Sequence, residues 1–163
     1  MKTTLTILAL WSTLFVQAQV KPQVPQPVRI YAEENRTMRE PLLVLDQGFV
    51  YREERSAFRE PIYKFEENMM YKLDRWQNRK EPILTIEKGK IKQGDGRFFS
   101  KVIYTVDGNQ IRVGEGTFLS NPVVYVIENG TIKLGEGAWA PVLYRIQGDY
   151  TMEQIACLLL TCL

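Results

Sequence analysis

The chain has 163 residues with 21 basic and 19 acidic side chains, a formal net charge of +2. Charges of both signs are interleaved, which argues against the one-signed field by which a protein engages nucleic acid. There is no histidine and there are two cysteines, which excludes Ser–His and Cys–His nucleophilic pairs, removes the commonest zinc ligand and rules out a disulfide framework.

Residues 1–18 read as an export signal. Lys2 supplies a positive charge, Leu5 to Val16 is an apolar run, and Val16-Gln17-Ala18 puts β-branched and small residues at the −3 and −1 positions. Cleavage near Ala18 is expected, leaving a secreted or periplasmic chain. The run is too short for a membrane helix, so no transmembrane segment is expected in the mature chain. Residues 19–27 are Pro/Gln-rich and read as an extended tether.

Residues 28–150 carry a repeat. Leu43, Tyr63, Leu84, Tyr104, Tyr125 and Tyr144 recur about every 20 residues, and Val50, Met70, Ile91, Ile111 and Ile132 follow the first five of them seven positions later. Between the two lies a turn, clearest at Asn129-Gly130, where both central residues can take the positive φ of a type I′ hairpin. A two-residue turn there places Ile127 opposite Ile132 and Tyr125 opposite Leu134. The same offset pairs Val106 with Ile111, Ile86 with Ile91, Phe65 with Met70 and Leu45 with Val50.

A glycine phrase follows each later hairpin: Gly94-Asp95-Gly96-Arg97-Phe98, Gly114-Glu115-Gly116-Thr117-Phe118 and Gly135-Glu136-Gly137-Ala138-Trp139, spaced 20 and then 21 residues apart. In earlier copies charged residues take its place, including Arg55 and Arg75-Trp76. Residues 151–163 are expected to form a capping helix. Thr151 and Gln154 supply a capping box, and the apolar run behind them would cover the open end of the sheet. Cys157 and Cys162, five apart on a helix, sit about 140° apart around its axis and cannot bridge.

Tyr125 to Trp139 resembles a MORN-type repeat, a short hairpin with Asn-Gly followed by Gly-x-Gly-x-aromatic. The resemblance covers roughly residues 84–140. It departs from that family in having four residues, not three, between Asn-Gly and Gly-x-Gly, and in lacking a Tyr-x-Gly-x-Trp opening. It implies an elongated antiparallel meander used for attachment or scaffolding.

The fold expected is therefore all-β. Tandem hairpin repeats of about 20 residues stack into an elongated meander or solenoid-like sheet, capped by a short C-terminal α-helix. A parallel β-solenoid is the rival. The function expected is a non-catalytic exported module that binds a protein or glycan surface, with Trp76, Trp139, Arg55 and Arg75 as candidate contacts. Flat aromatic faces suit sugar rings, and guanidinium groups suit carboxylate or phosphate. No cofactor is expected unless it is calcium, for which Asp95, Glu115 and Glu136 form a periodic row of oxygen ligands. The same row is the only basis for the enzymatic alternative, a carboxylate glycosidase.

Overall fold

The computed structural model describes residues 25–34, 40–52, 60–74, 80–97, 100–116 and 121–163. Among these lie β1 (Val28–Ala32), β2 (Leu43–Asp46), β3 (Phe49–Arg52), β4 (Tyr63–Glu66), β5 (Met69–Leu73) and β6 (Lys80–Glu87). They continue with β7 (Lys90–Gln93), β8 (Val102–Asp107), β9 (Gln110–Val113), β10 (Val123–Glu128), β11 (Thr131–Leu134), β12 (Val142–Gln147) and the helix α1 (Met152–Thr161).

Five tight hairpins form the ring's continuous part. Three of their turns take left-handed backbone at both central positions: Gln47 and Gly48 (φ 49° and 83°), Lys88 and Gly89 (φ 50° and 75°), and Asn129 and Gly130 (φ 50° and 71°). That twist matches the twist of the strands they join. The register follows from it: Ile127 faces Ile132, Val106 faces Ile111, Ile86 faces Ile91, Phe65 faces Met70 and Leu45 faces Val50. Each turn is then bonded to the next hairpin. The carbonyls of Gly48, Asn68, Gly89, Asn109 and Gly130 accept the N–H groups of Phe65, Ile86, Val106, Ile127 and Ile146 at 2.7–2.9 Å. At Gly130 a Cβ would lie 2.9 Å from the Ile146 carbonyl oxygen, so close stacking as well as φ calls for glycine.

The sheet does not stay open. It runs β1-β12-β11-β10 and onward to β2 as a closed antiparallel barrel. This corrects the expected elongated meander and its parallel rival. Closure comes from β1 and β12, which pair Ile30 with Ile146 and Ala32 with Tyr144. Together they make a sixth hairpin whose two strands come from opposite ends of the domain. Its turn is not covalent: the Gln26 N–H donates to the Asp149 carboxylate at 2.9 Å and the Asp149 N–H donates to the Gln26 carbonyl at 3.2 Å. Arg145 clamps the other end of the seam through two bonds to Glu33, at 2.7 and 2.9 Å. A ring has no free edge, so the hazard that a capping helix would relieve is absent.

The helix is consequently placed elsewhere than expected. Ile155, Ala156, Cys157, Leu158 and Leu159 are all buried, and five consecutive residues cover about 400° of helix circumference. No face of that stretch meets water. Its neighbours are the inward residues of the ring, among them Ile30, Leu43, Val50, Met70, Ile91, Ile111, Ile132 and Ile146. Thus α1 fills the barrel as a central plug and is not a lid on a sheet end. Its length of about 15 Å is close to that of a four- or five-residue strand. The capping box forms as a reciprocal pair: the Gln154 N–H donates to the Thr151 hydroxyl and the Thr151 N–H to the Gln154 side chain, at 3.2 and 3.0 Å. Outward positions carry Lys64, Lys92, Arg112, Lys133 and Arg145, several in ion pairs with neighbouring carboxylates.

Candidate functional site

The loops that join successive hairpins all leave from the rim opposite the tight turns, and there the glycine phrases set the surface. Gly94, Gly114 and Gly135 take left-handed φ (76°, 70° and 76°). Their N–H groups return to the Ile83, Ile103 and Val124 carbonyls at 2.8, 2.7 and 2.6 Å. In the first two copies a threonine locks the phrase down. Thr85 Oγ1 donates to the Gly94 carbonyl at 2.7 Å and Thr105 Oγ1 to that of Gly114 at 2.6 Å. A Cβ at Gly96 or Gly116 would come within 2.8 or 2.6 Å of those threonines. The second glycine of the phrase is thus required by its contact with the hairpin beneath.

The third copy breaks this pattern. Val126 occupies the threonine position and has no hydroxyl to offer. Gly137 takes φ 124°, and a Cβ there would meet nothing within 4 Å. A groove of about 410 Å³ opens at this point, with Val126 in its wall and the backbone of Gly135 to Ala138 along one side. Its polar groups are Asn109, Gln110, Glu128, Lys133 and Glu136. The charges are paired: Lys133 with Glu128 at 3.1 Å, and Arg112 with both Glu136 at 3.5 Å and Asp107 at 3.8 Å. Asn109 adds a bond from its amide to Glu128 at 3.2 Å. Trp139 follows directly on the lining and is 96% exposed.

The periodic carboxylates do not converge. Asp95 is held by its own loop, accepting the Arg97 N–H at 3.1 Å and pairing with the Arg97 guanidinium at 3.3 Å. Glu115 lines a separate groove of about 250 Å³ with Lys88, Lys90 and Lys92. Glu136 belongs to the Trp139 groove. Among the described residues no three acidic, cysteine or histidine side chains come together as a metal-binding group. Of the candidate binding residues, Trp139 stands where described above, while Trp76, Arg55 and Arg75 lie outside the described residues. A third groove, of about 290 Å³, is lined by Arg52, Tyr63, Lys72 and Asp74. Burial, with the nearby Cys162, pushes the Tyr63 phenol up from its usual pKa. Sequence reasoning missed Val126, Glu128 and Lys133. The readable signal was the change from Thr85 and Thr105 to Val126 at one repeat position.

Six antiparallel pairs closing one ring is the arrangement against which family likeness can be judged. A family model described as "6-fold beta flower protein" matches residues 30–158. The chain belongs to this family. Membership in the beta flower family replaces the MORN-type resemblance, which rested on one glycine-aromatic phrase and implied an open meander. The matched span starts inside β1 and ends within α1, so it takes in nearly the whole ring and most of its plug. No curated protein and no solved structure matches this beta flower chain.

Proposed function

We propose that this protein is a non-catalytic module of the cell envelope or extracellular space that works by binding, and that the groove beside Trp139 is its contact face. The observation that carries the reading is Trp139, which is 96% exposed and follows in the chain on Ala138, a lining residue of a polar groove. A large aromatic ring held in water forgoes the burial that such side chains gain in cores and interfaces, and is a recurrent anchor of binding surfaces. The barrel interior supports the same reading by exclusion of a lumenal site, since α1 occupies it. Export rests on Lys2, the Leu5–Val16 run and Ala18.

The test has two parts. Mass measurement of the protein recovered from outside the cytoplasm should give an N-terminus at Gln19. The labelled mature chain should sediment with isolated envelopes of the producing cell, and Trp139→Ala should release it. Retention in the cytoplasm, or sedimentation indifferent to Trp139→Ala, would reject the reading.

A further inference from the structure

We infer that the Trp139 groove is a carbohydrate site for a neutral glycan; this rests on the binding-module reading above and names its ligand class. Three independent observations converge on one repeat. The first is that the groove arises from a local departure from the repeat pattern. Where Thr85 and Thr105 fasten their glycine phrases with hydroxyl bonds, Val126 has no hydroxyl, and a Cβ at Gly137 would meet nothing within 4 Å where one at Gly96 or Gly116 would strike the threonine. The second is that the aromatic of this phrase is Trp139, not the phenylalanine of the copies ending in Phe98 and Phe118. The third is chemical. The groove presents two amides, two carboxylates and one ammonium, each able to bond a sugar hydroxyl, and the residue after its lining Ala138 is the exposed Trp139, whose indole is able to stack on the C–H face of a pyranose ring.

The charge pairing selects the sugar. Glu128 is offset by Lys133, and Glu136 shares Arg112 with Asp107, so the site offers no excess positive charge to a uronate or a sulfated chain. Carboxylates paired on one side keep lone pairs for hydroxyl donors on the other. A peptide is the competing occupant, but the commonest way to add an extended peptide to a β protein is along a free sheet edge. The closed ring offers none. Peptide recognition would therefore have to rest on side chains alone, whereas a glycan needs only stacking and hydroxyl bonds.

The proposal is tested by titrating the full mature protein with neutral oligosaccharides (glucose, mannose, xylose and N-acetylglucosamine oligomers) and with uronate oligomers. Calorimetry and tryptophan emission are the readouts. At least one neutral series should bind, the uronates should not, and Trp139→Ala should weaken binding by about tenfold or more, the loss expected from one stacking contact. Val126→Thr, which restores the hydroxyl that closes the other copies, should also weaken binding several-fold. Both variants should melt as the parent does, and circular dichroism would verify that they fold. The assignment fails if no neutral oligosaccharide binds at millimolar concentration, or if Val126→Thr and Trp139→Ala leave binding unchanged. Protease treatment of envelopes separates the two levels. If it abolishes sedimentation, the partner is a protein and the glycan assignment falls while the binding-module reading stands.

Discussion

Ile30 in β1 lies directly opposite Ile146 in β12, in the register that sets Ile132 against Ile127 within a single hairpin. Both are almost wholly buried, at 1% and 6% exposure. The seam is thus a full structural unit whose two strands are joined only by non-covalent contacts. Ile30→Ala should cost about 2–5 kcal/mol by loss of transfer energy and an unfilled cavity, as measured by urea denaturation. Removing residues 1–34 should do more, because it exposes the facing edges of β2 and β12, and unpaired edges associate. Size-exclusion chromatography should then show aggregates, with a peptide spanning 25–34 restoring the monomer-sized peak. A truncated chain that stays monomeric and folded would show that the seam contributes little.

Local structure was legible in the sequence and closure was not. Asn129-Gly130 and the apolar spacing around it predict the hairpin register that the structure shows, because turn type and side-chain alternation are short-range constraints. The pairing of β1 with β12 spans more than a hundred residues, as in the Arg145–Glu33 bonds, and no local pattern specifies it. One clue was present. Val28 and Ile30 form a second strand without a first, and Tyr144 and Ile146 a first strand without a second; together they complete one unit. The misplacement of the helix followed from missing this. An apolar face all round calls for an enclosed position, and an open sheet has no interior to supply one. The site was half legible: Trp139 stood out, but a groove made by the missing Val126 hydroxyl depends on contacts that spacing alone does not reveal.

The seam also makes Gly148 more sensitive than other glycines. A Cβ there would sit 2.2 Å from the Pro27 carbonyl oxygen, and the residue has φ 99°. Gly135 shares left-handed backbone, at φ 76°, yet a Cβ there would meet nothing within 4 Å. Both alanine variants carry the backbone penalty of about 1–2 kcal/mol. Gly148→Ala should lose more, because β1 must shift to make room. Comparing the two melting temperatures isolates the steric part, and equal losses would show that the seam yields without strain.

Calcium should leave the melting temperature where a chelator leaves it. Asp95 is committed to Arg97, and Glu136 pairs with Arg112. A hard divalent cation needs six or more oxygens around it, and no group of three candidate ligands occurs among the described residues. Differential scanning fluorimetry with millimolar calcium or chelator decides this. A rise of several degrees with calcium would place an ion on the carboxylate row and reopen the structural-metal reading.

Alkaline titration should report on the plug. Burial, assisted by the nearby Glu153 carboxylate, pushes the Cys157 thiol from 9.0 up to about 12. In the unfolded chain the same thiol ionises near its ordinary value, so the sign is fixed. The contribution to stability is full below about pH 9 and is lost progressively as pH rises toward 12, by up to about 1.4 kcal/mol per pH unit. Tyr63, Tyr104 and Cys162 are also raised, chiefly by burial, and act in the same direction. Urea unfolding followed from about pH 8 to about pH 10.5 should therefore show falling stability. In Cys157→Ala the starting stability should be lower, since the variant removes a fully buried side chain, but the fall with pH should be shallower. A thiol reagent at mild pH gives an independent check. It should reach the part-exposed Cys162 in the folded protein and Cys157 only after unfolding. Equal reactivity of the two, or identical pH slopes in parent and variant, would place Cys157 outside the sealed interior and remove the basis for a helix enclosed by the ring.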